Sequence, residues 1–305
     1  MTTYDRAAAS DDGDLSPIKL AEVCEALIAA WHEDSAQSGA GAAPDSASAL
    51  DARAIVQAFP ENRPRNLEYA HGQMAGNLVN AIVLQLRSVV TLLRAEPMIP
   101  LGVWPLVRSE LEYAGRVAWL LEPLPEAEAG TRRVAREMLD HLAAIQRQRF
   151  TAGKWDKPRA KQFKGKRDEL LARIRELFDD VDTPLDNPQQ IDEWRIGGEP
   201  MLPLGKSIGL FLELHMTGAA ALYDVLSDNT HPSVISLAFQ STTRDEDGIT
   251  STDYPAIPRV INFQVRLGCL FAYNAALLIL RYFGYSSPAL DQWAAAAPAR
   301  WFSGS

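Results

Sequence analysis

The stretch NLEYAHGQMAGNLVNAIVLQLRSVVTLLR, from Asn66 to Arg94, decides the fold class. It contains no proline, and its large apolar residues recur at intervals of three, four or seven positions. Apolar residues at that spacing lie on one face of an α-helix. The residues that form this face are Leu67, Met74, Leu78, Ile82, Leu86, Val89 and Leu93. We therefore predict a long amphipathic helix that packs against other helices.

Helical patterns of the same kind fill most of the remaining chain, and prolines separate them. No alternation typical of β-strands persists, so the predicted fold is all-α, an up-and-down helical bundle of long helices with an N-terminal appended helix. The other helices are expected at 103–122, 126–150, 158–178, 207–226, 258–283 and 288–301.

The N-terminal region is expected to be separate from the bundle. Ser16-Pro17 is a typical helix start, and residues 34–48 are rich in Ser, Ala and Gly and lack large apolar residues, as linkers do. The predicted organisation is a disordered tail at 1–15, an appended helix at 16–33, a flexible linker at 34–49 and a single helical-bundle domain at 50–301 with long loops at 181–204 and 241–256.

Composition excludes several classes of protein. The chain has 305 residues, 47% of them hydrophobic, which is enough to bury a core. The two distant cysteines exclude a disulfide scaffold and a Cys-based zinc site, and we expect no metal and no cofactor. The polar N-terminus lacks the features of a signal peptide, and the apolar run Leu267–Leu280 is shorter than the roughly 20 residues that span a bilayer. We expect a cytoplasmic protein with no membrane contact.

Charge is distributed unevenly along the chain. The net charge is −9, but residues 132–175 contain 14 Lys and Arg against 5 Asp and Glu, and the remainder carries −18. The densest part, 147–167, interleaves Phe150, Trp155 and Phe163 with basic residues, a pattern typical of nucleic-acid contact. The alternative, which the very acidic remainder of the chain favours, is a solvated hairpin that pairs with acidic protein surface, in this chain or a second subunit. The predicted contact residues are Arg147, Arg149, Lys154, Lys157, Lys161, Lys164, Lys166 and Arg167.

A second candidate site is the polar stripe of the 103–122 helix. Arg108, Glu112, Arg116 and Trp119 share one face at spacings of four and three. As a ligand site, the arginines would bind an anion and Glu112 would act as acid or base. The alternative is an intrahelical ion-pair ladder on the surface, which contributes only a few tenths of a kcal/mol per pair.

A third candidate follows in the segment from Tyr223 through Ser227 to His231. His231 precedes a proline at an expected helix start, where the helix dipole lowers a histidine pKa and favours the neutral base. The alternative is a histidine that only caps or packs.

These segments resemble a group of uncharacterised helical proteins common in actinobacteria. The likeness lies in Arg108-x-x-x-Glu112 leading into Trp119-Leu120-Leu121-x-Pro123, in Tyr223-x-x-Leu226-Ser227-x-x-x-His231, and in Arg132, Arg133 and Arg136. The resemblance implies an all-α fold and a convergence of Arg108, Glu112 and His231. It implies no particular activity. Tyr223 and Ser227 are predicted ligand-binding residues together with Arg108, Glu112, Arg116 and Trp119.

A broader likeness is to HEPN domains, whose ribonuclease members carry Arg-x(4–6)-His. Arg65 with His71, and Arg136 with His141, fit this spacing. The resemblance implies metal-independent RNA cleavage, in which histidine accepts the 2′-hydroxyl proton while arginine stabilises the phosphorane. Arg65, His71 and, as an alternative, His231 are the predicted catalytic residues.

Two hypotheses of different class follow. One is a binding or interaction module with a polar cluster in the bundle, and the other is a HEPN-like ribonuclease or RNA-binding protein, so the sequence leaves open whether the protein is an enzyme. The apolar helix at 258–283 fits either a homodimer interface or the centre of one bundle.

Overall fold

A computed structural model describes residues 14–37, 41–59, 64–122, 128–184, 188–230, 241–246, 249–253 and 257–302. Within these residues the chain forms ten α-helices and five short strands, which confirms the predicted all-α bundle. The helices are α1 (Pro17–Ser35), α2 (Ala47–Ala58), α3 (Leu67–Arg94), α4 (Val103–Leu121), α5 (Ala129–Gly153), α6 (Lys157–Leu177), α7 (Leu204–His215), α8 (Leu222–Thr230), α9 (Pro258–Phe283) and α10 (Pro288–Ala296).

Local capping explains where several helices begin and end. Ser16 Oγ accepts a hydrogen bond from the backbone of Lys19 at 3.4 Å and begins α1. Asp156 begins α6 in the same way, through a 2.9 Å bond from the backbone of Arg159. At the end of α9, Gly284 has a φ of 72°, a left-handed conformation that glycine adopts without steric cost.

The N-terminal helix is part of the bundle, so the prediction of an appended helix was wrong. Leu20, Cys24 and Leu27 of α1 are buried, and α1 packs on α3, α9 and α10. Trp31 Nε1 also donates to Asn80 Oδ1 at 3.2 Å. The sequence pattern indicates that α1 has an apolar face, but it does not indicate which surface covers that face.

The predicted flexible linker at 34–49 is bonded to the bundle in the part that is described. Asp34 is buried, and its carboxylate accepts the backbone N–H groups of Ala289 (3.2 Å) and Leu290 (2.9 Å) at the start of α10. The backbone of Ala43 donates to the carbonyl of Phe283 at 2.9 Å. Small polar residues here supply caps and turns, which explains their linker-like composition.

The segment between α6 and α7 contains a small antiparallel sheet in place of the predicted loop. Its strands are β1 (Val181–Asp182), β2 (Arg195–Ile196) and β3 (Glu199–Pro200), in the order β1-β2-β3. Gly197 and Gly198, with φ of 54° and 77°, form the two-residue turn between β2 and β3. Trp194 is fully buried and donates to the carbonyl of Pro184 at 2.9 Å, as expected for a residue that pins this segment.

Two further boundaries differ from the prediction. The helix expected at 207–226 is divided into α7 and α8, because residues 216–221 form turns and Gly218 has a φ of 86°. The expected loop at 241–256 contains the hairpin β4 (Thr242–Glu246) and β5 (Ile249–Asp253), in which Thr242 lies opposite Asp253. Strands this polar show no buried-face alternation in sequence.

The described core consists of two hydrophobic clusters. The first joins α1, α3, α4, α7, α8, α9 and α10. The second joins α2, α5, α6 and the 191–201 segment, and it also contains Leu67 of α3 and Trp119 of α4. By length and composition alone, α3 and α9 qualify as membrane-crossing helices. In α9, 72% of the most apolar stretch is buried inside the protein, as in a core helix.

Candidate nucleic-acid interface

The hairpin of α5 and α6 places the basic residues at one edge of the bundle. The two helices pack on each other through Leu171 and Ile174, which are buried in the second cluster. Residues 154–156 make the turn, and Asp156 with Pro158 begins α6. The first half of α6 contributes no fully buried apolar side chain, so it presents most of its circumference to solvent.

Most of the predicted contact residues lie on the surface of this hairpin. Arg149 is half-buried and Arg167 is buried, whereas the other six are exposed: Arg147, Lys154, Lys157, Lys161, Lys164 and Lys166. Arg167 binds Asp168 at 2.6 Å and Gln146 at 3.2 Å, so its prediction as a contact residue was wrong. It occupies the face of α6 that packs on α5, only one residue away from exposed Lys166.

Aromatic rings and cations alternate along one side of α6. Trp155 is 67% exposed. The guanidinium carbon of Arg159 lies 5.8 Å from the ring centres of both Trp155 and Phe163, and Lys166 Nζ lies 5.9 Å from Phe163. On α5, Arg149 lies 5.2 Å from the ring centre of Phe150. The prediction omits Arg159, although its position between two aromatic residues in sequence was a signal for it.

A shallow cleft follows the same side of the hairpin. It has a volume of about 370 Å³ and opens widely to solvent. Its lining combines one aromatic ring, one side-chain amide, two cations and one carboxylate. The residues that line it are Asp156, Pro158, Arg159, Gln162, Phe163 and Lys166.

The exposed cations near the tip of the hairpin form no ion pair in the described part of the chain. Of the eight predicted contact residues, only buried Arg167 forms an ion pair with another described residue, Asp168. Lys154, Lys157, Lys161 and Lys164 carry their charge into solvent. The protein's own acidic residues therefore pair with the arginines at the start of α5 but, among the described residues, not with the lysines near the tip.

The predicted catalytic pair is not brought to one surface. Arg65 is exposed in the turn before α3, whereas His71 is fully buried. A histidine must touch the 2′-hydroxyl to accept its proton, so a buried His71 cannot serve in the described conformation. The other predicted base, His231, lies outside the described residues.

His71 belongs to a buried polar network between four helices. Tyr282 donates its hydroxyl hydrogen to Asp51 Oδ2 at 2.9 Å, and His71 Nε2 lies 2.5 Å from the same hydroxyl. Arg133 binds Asp51 Oδ2 at 2.7 Å and lies over the Tyr282 ring at 5.4 Å. Because Tyr282 uses its hydrogen on Asp51, Nε2 of His71 is the donor. Burial lowers the pKa of His71 more than Asp51 raises it, so the ring stays neutral.

The Arg108 cluster exists, but its cation is already bound within the chain. Arg108 donates to Glu112 at 3.0 Å, to Thr230 Oγ1 at 3.3 Å and to Tyr223 at 3.4 Å. Ser227 lies on α8 with Tyr223 and Thr230 and is half-buried. These bonds join α4 to α8. The Arg108–Glu112 ion pair within α4 is the one expected of a surface ladder. The bonds from Arg108 to Tyr223 and Thr230 of α8 show that polar side chains of two helices also meet here, as a ligand site would require.

Arg116 and Trp119 do not continue that cluster. Arg116 donates to the carbonyl of Leu202 at 2.9 Å and lies 3.7 Å from Asp140, and its guanidinium stacks over Trp119 at 5.3 Å. Trp119 is buried in the second cluster. The four residues predicted to form one polar stripe on α4 therefore belong to two separate sites. Arg108 and Glu112 lie beside α8, whereas Arg116 and Trp119 lie beside α5 and the segment before α7.

The arginines at the start of α5 also have structural partners. Arg133 binds Asp51, while Arg132 and Arg136 both bind the carboxylate of Glu199 on β3, the latter at 2.6 Å. Glu199 is only 2% exposed. These ion pairs dock α5 on α2 and on the small sheet.

Sequence reasoning missed two acidic residues. Glu110 is fully buried, neither carboxylate oxygen has a hydrogen-bond partner in the described structure, and burial raises its pKa well above the usual range. Its Oε2 lies over Gly268 of α9, where a Cβ would come within 2.6 Å. Burial and the Asp140 carboxylate raise the pKa of Glu137 to about 7. The signal for Glu110 was its place in the run Val103, Val107, Glu110, Ala114, Val117, Leu121, which has the spacing of buried helix positions.

Neither a metal centre nor a known relative narrows the function. In the part of the chain that the structure describes, no three His, Cys, Asp or Glu side chains are grouped to hold a metal ion. The sequence matches no protein-family model, and comparison with curated proteins and with solved structures finds no significant match.

Proposed function

We propose that the protein is a nucleic-acid-binding module that uses the exposed surface of the α5–α6 hairpin. The observation that carries this proposal is the set of exposed cations that form no ion pair among the described residues, on a hairpin that also exposes Trp155. Lys and Arg side chains bind phosphates and release condensed counterions, which supplies most of the non-specific affinity for nucleic acid.

The arrangement of the cations supports an extended polyanion over a small anion. Lys157, Lys161 and Lys164 share one face of α6 by their spacing, and Arg159 and Lys166 share another. From Lys157 to Lys166 the α6 side of the surface is about 14 Å long at 1.5 Å per helical residue. Charges spread over that length match a row of phosphates, whereas a small anion would need converging donors.

The acidic remainder of the chain fits the same proposal. Its charge of −18 disfavours phosphate on the rest of the protein, whereas residues 132–175 carry a formal charge of +9, part of which is offset by Asp51 and Glu199. Like-charge repulsion restricts a polyanion to one orientation on the surface, and the local positive field accelerates its arrival.

The test is the salt dependence of binding, measured by fluorescence anisotropy with a labelled oligonucleotide. The variant Lys154→Glu/Lys161→Glu/Lys166→Glu changes the tip of the hairpin and one residue of each row. We expect its affinity at low salt to fall at least about tenfold, and the slope of log K against log salt to flatten by about 2, at roughly 0.7 per lost phosphate contact.

The matched control reverses three exposed cations elsewhere, Lys206→Glu/Arg259→Glu/Arg281→Glu, and so changes the net charge equally. We expect it to keep the slope of the parent protein. Equal losses in both variants would mean that net charge, and not the hairpin, governs binding. A parent protein that binds no oligonucleotide at low salt would overturn the proposal.

A further inference from the structure

The exposed Trp155 is the feature of the hairpin that electrostatics alone does not explain. Tryptophan is among the most buried residue types on average, yet this ring is 67% exposed, the largest exposed fraction among the large apolar side chains described. The remaining aromatic residues of the hairpin, Phe150 and Phe163, are half-buried beside it.

A cation borders the Trp155 ring. Arg159 lies 5.8 Å from the Trp155 ring centre and equally far from that of Phe163 on the next turn of α6. Lys166 lies 5.9 Å from Phe163, so rings and cations alternate along this side of the helix. Each aromatic surface is therefore bordered by a cation that can bind the phosphate of a nucleotide whose base lies on the ring.

The cleft beside these rings has the remaining groups that a base requires. Gln162 offers both a donor and an acceptor, and Asp156 offers acceptors, toward the edge of a base in the space of about 370 Å³. Asp156 Oδ1 already accepts the backbone N–H of Arg159 at 2.9 Å, so the carboxylate is held in place.

We infer that Trp155, Arg159 and Phe163 form a base-stacking subsite, and that the nucleic acid bound by the hairpin is single-stranded. In a duplex the faces of the bases are covered by their neighbours, so only an unpaired strand can place a base on Trp155. This inference rests on the proposed function and adds the class of nucleic acid to it.

The experiment measures the affinity for one labelled oligonucleotide, first as a single strand and then as a duplex, in RNA and DNA versions. Its length is about 16 nucleotides, the upper site size of a single-strand-binding fold. Trp155→Ala should weaken single-strand binding roughly 5- to 100-fold, leave duplex binding unchanged and keep the salt slope. Trp155→Phe should restore most of the loss because it retains an aromatic face. Tyr69→Ala, at another exposed ring, should have no effect.

The outcomes separate this inference from the proposed function. If the parent binds single strands and duplexes equally and Trp155→Ala changes neither affinity, the hairpin binds by charge alone; the stacking subsite is then wrong and the proposed function stands. If Trp155→Ala weakens both forms equally, stacking on an unpaired base is also wrong. If the parent binds neither form, both proposals fail.

Discussion

The thiol groups of Cys24 and Cys269 lie 3.6 Å apart in the buried interface between α1 and α9, although 245 positions separate the two residues in sequence. This contact, in the first hydrophobic cluster, makes α1 an integral helix of the bundle. The α1 helix should therefore contribute to the stability of the whole cluster.

Leu20→Ala tests that contribution. Leu20 is fully buried on α1, so its truncation should lower the free energy of unfolding by about 2–5 kcal/mol. Ile18→Ala, on the same helix but 59% exposed, should change it by less than about 0.5 kcal/mol. Urea denaturation monitored by circular dichroism measures both. Equal and small effects would show that α1 is not packed as described.

Glu110 should make the protein less stable at higher pH. The folded-state pKa of this buried carboxyl is raised, so its contribution to stability is largest below the unfolded-state pKa, about 4.3, and is lost as the pH rises above it. Between pH 5 and pH 8, the free energy of unfolding should therefore fall less for Glu110→Gln than for the parent protein. Urea denaturation at each pH measures both.

The control for this prediction is Glu112→Gln, two positions along α4 and half-exposed. It should retain the pH dependence of the parent protein. A parallel decline in the parent and in Glu110→Gln would contradict a buried, neutral Glu110.

The buried pair of Asp51 and Arg133 should be costly to break on one side. Asp51→Ala leaves the guanidinium of Arg133 buried without its carboxylate, and we expect a loss of about 3–5 kcal/mol in the free energy of unfolding. Asp51→Ala/Arg133→Met should lose less than the sum of the two single changes, because it removes the unpaired charge. Additive losses in this double-mutant cycle would mean that the two side chains do not interact.

Asp51 should also contribute to unfolding in acid. Burial raises its pKa, but the neighbouring His71, the charge of Arg133 and the hydrogen bond from Tyr282 together lower it by more, so the net pKa is below the usual range. Its stabilising contribution is thus complete above the unfolded-state pKa, about 3.9, and disappears as the pH falls below it. In acid titrations below pH 4, Asp51→Asn should show a shallower loss of stability than the parent.

Glu137 should titrate in the neutral range. Burial and Asp140 raise its pKa to about 7, and His141 Nδ1 lies 3.9 Å away. The NMR signal of the Glu137 carboxyl carbon can be assigned because it disappears in Glu137→Gln. Its pH titration should have a midpoint near 7. Asp140→Asn should lower that midpoint, because it removes the neighbouring negative charge. A midpoint at the ordinary value of about 4.3 would contradict the described burial.

The sequence predicted the long helices well because their signals are local. α3, α4, α6 and α9 begin and end within one residue of the predicted bounds, where prolines, capping residues or Gly284 interrupt a regular apolar spacing. The sheet at 181–200 was missed because strands of two residues have no period to detect.

The sites depended on packing that a single sequence does not contain. Arg65 and His71 fit a spacing motif, but the spacing does not reveal that α9 and α2 cover the histidine. Arg167 and Lys166 are adjacent and similar, yet one faces α5 and the other faces solvent. Glu110, unlike Glu112, stands at a position whose periodic neighbours are all buried, and that pattern was available in the sequence.

The division of the core into two clusters that meet at α3 and α4 has a consequence for hydrogen exchange. α6 packs mainly on α5, whereas α4 and α9 are covered on most of their circumference. Backbone amides of α6 should therefore exchange through partial opening, well before those of α4 and α9, which require global unfolding. A strand bound along the hairpin would slow exchange in α6 and at the end of α5, and the bound region would be visible as a footprint in the exchange map.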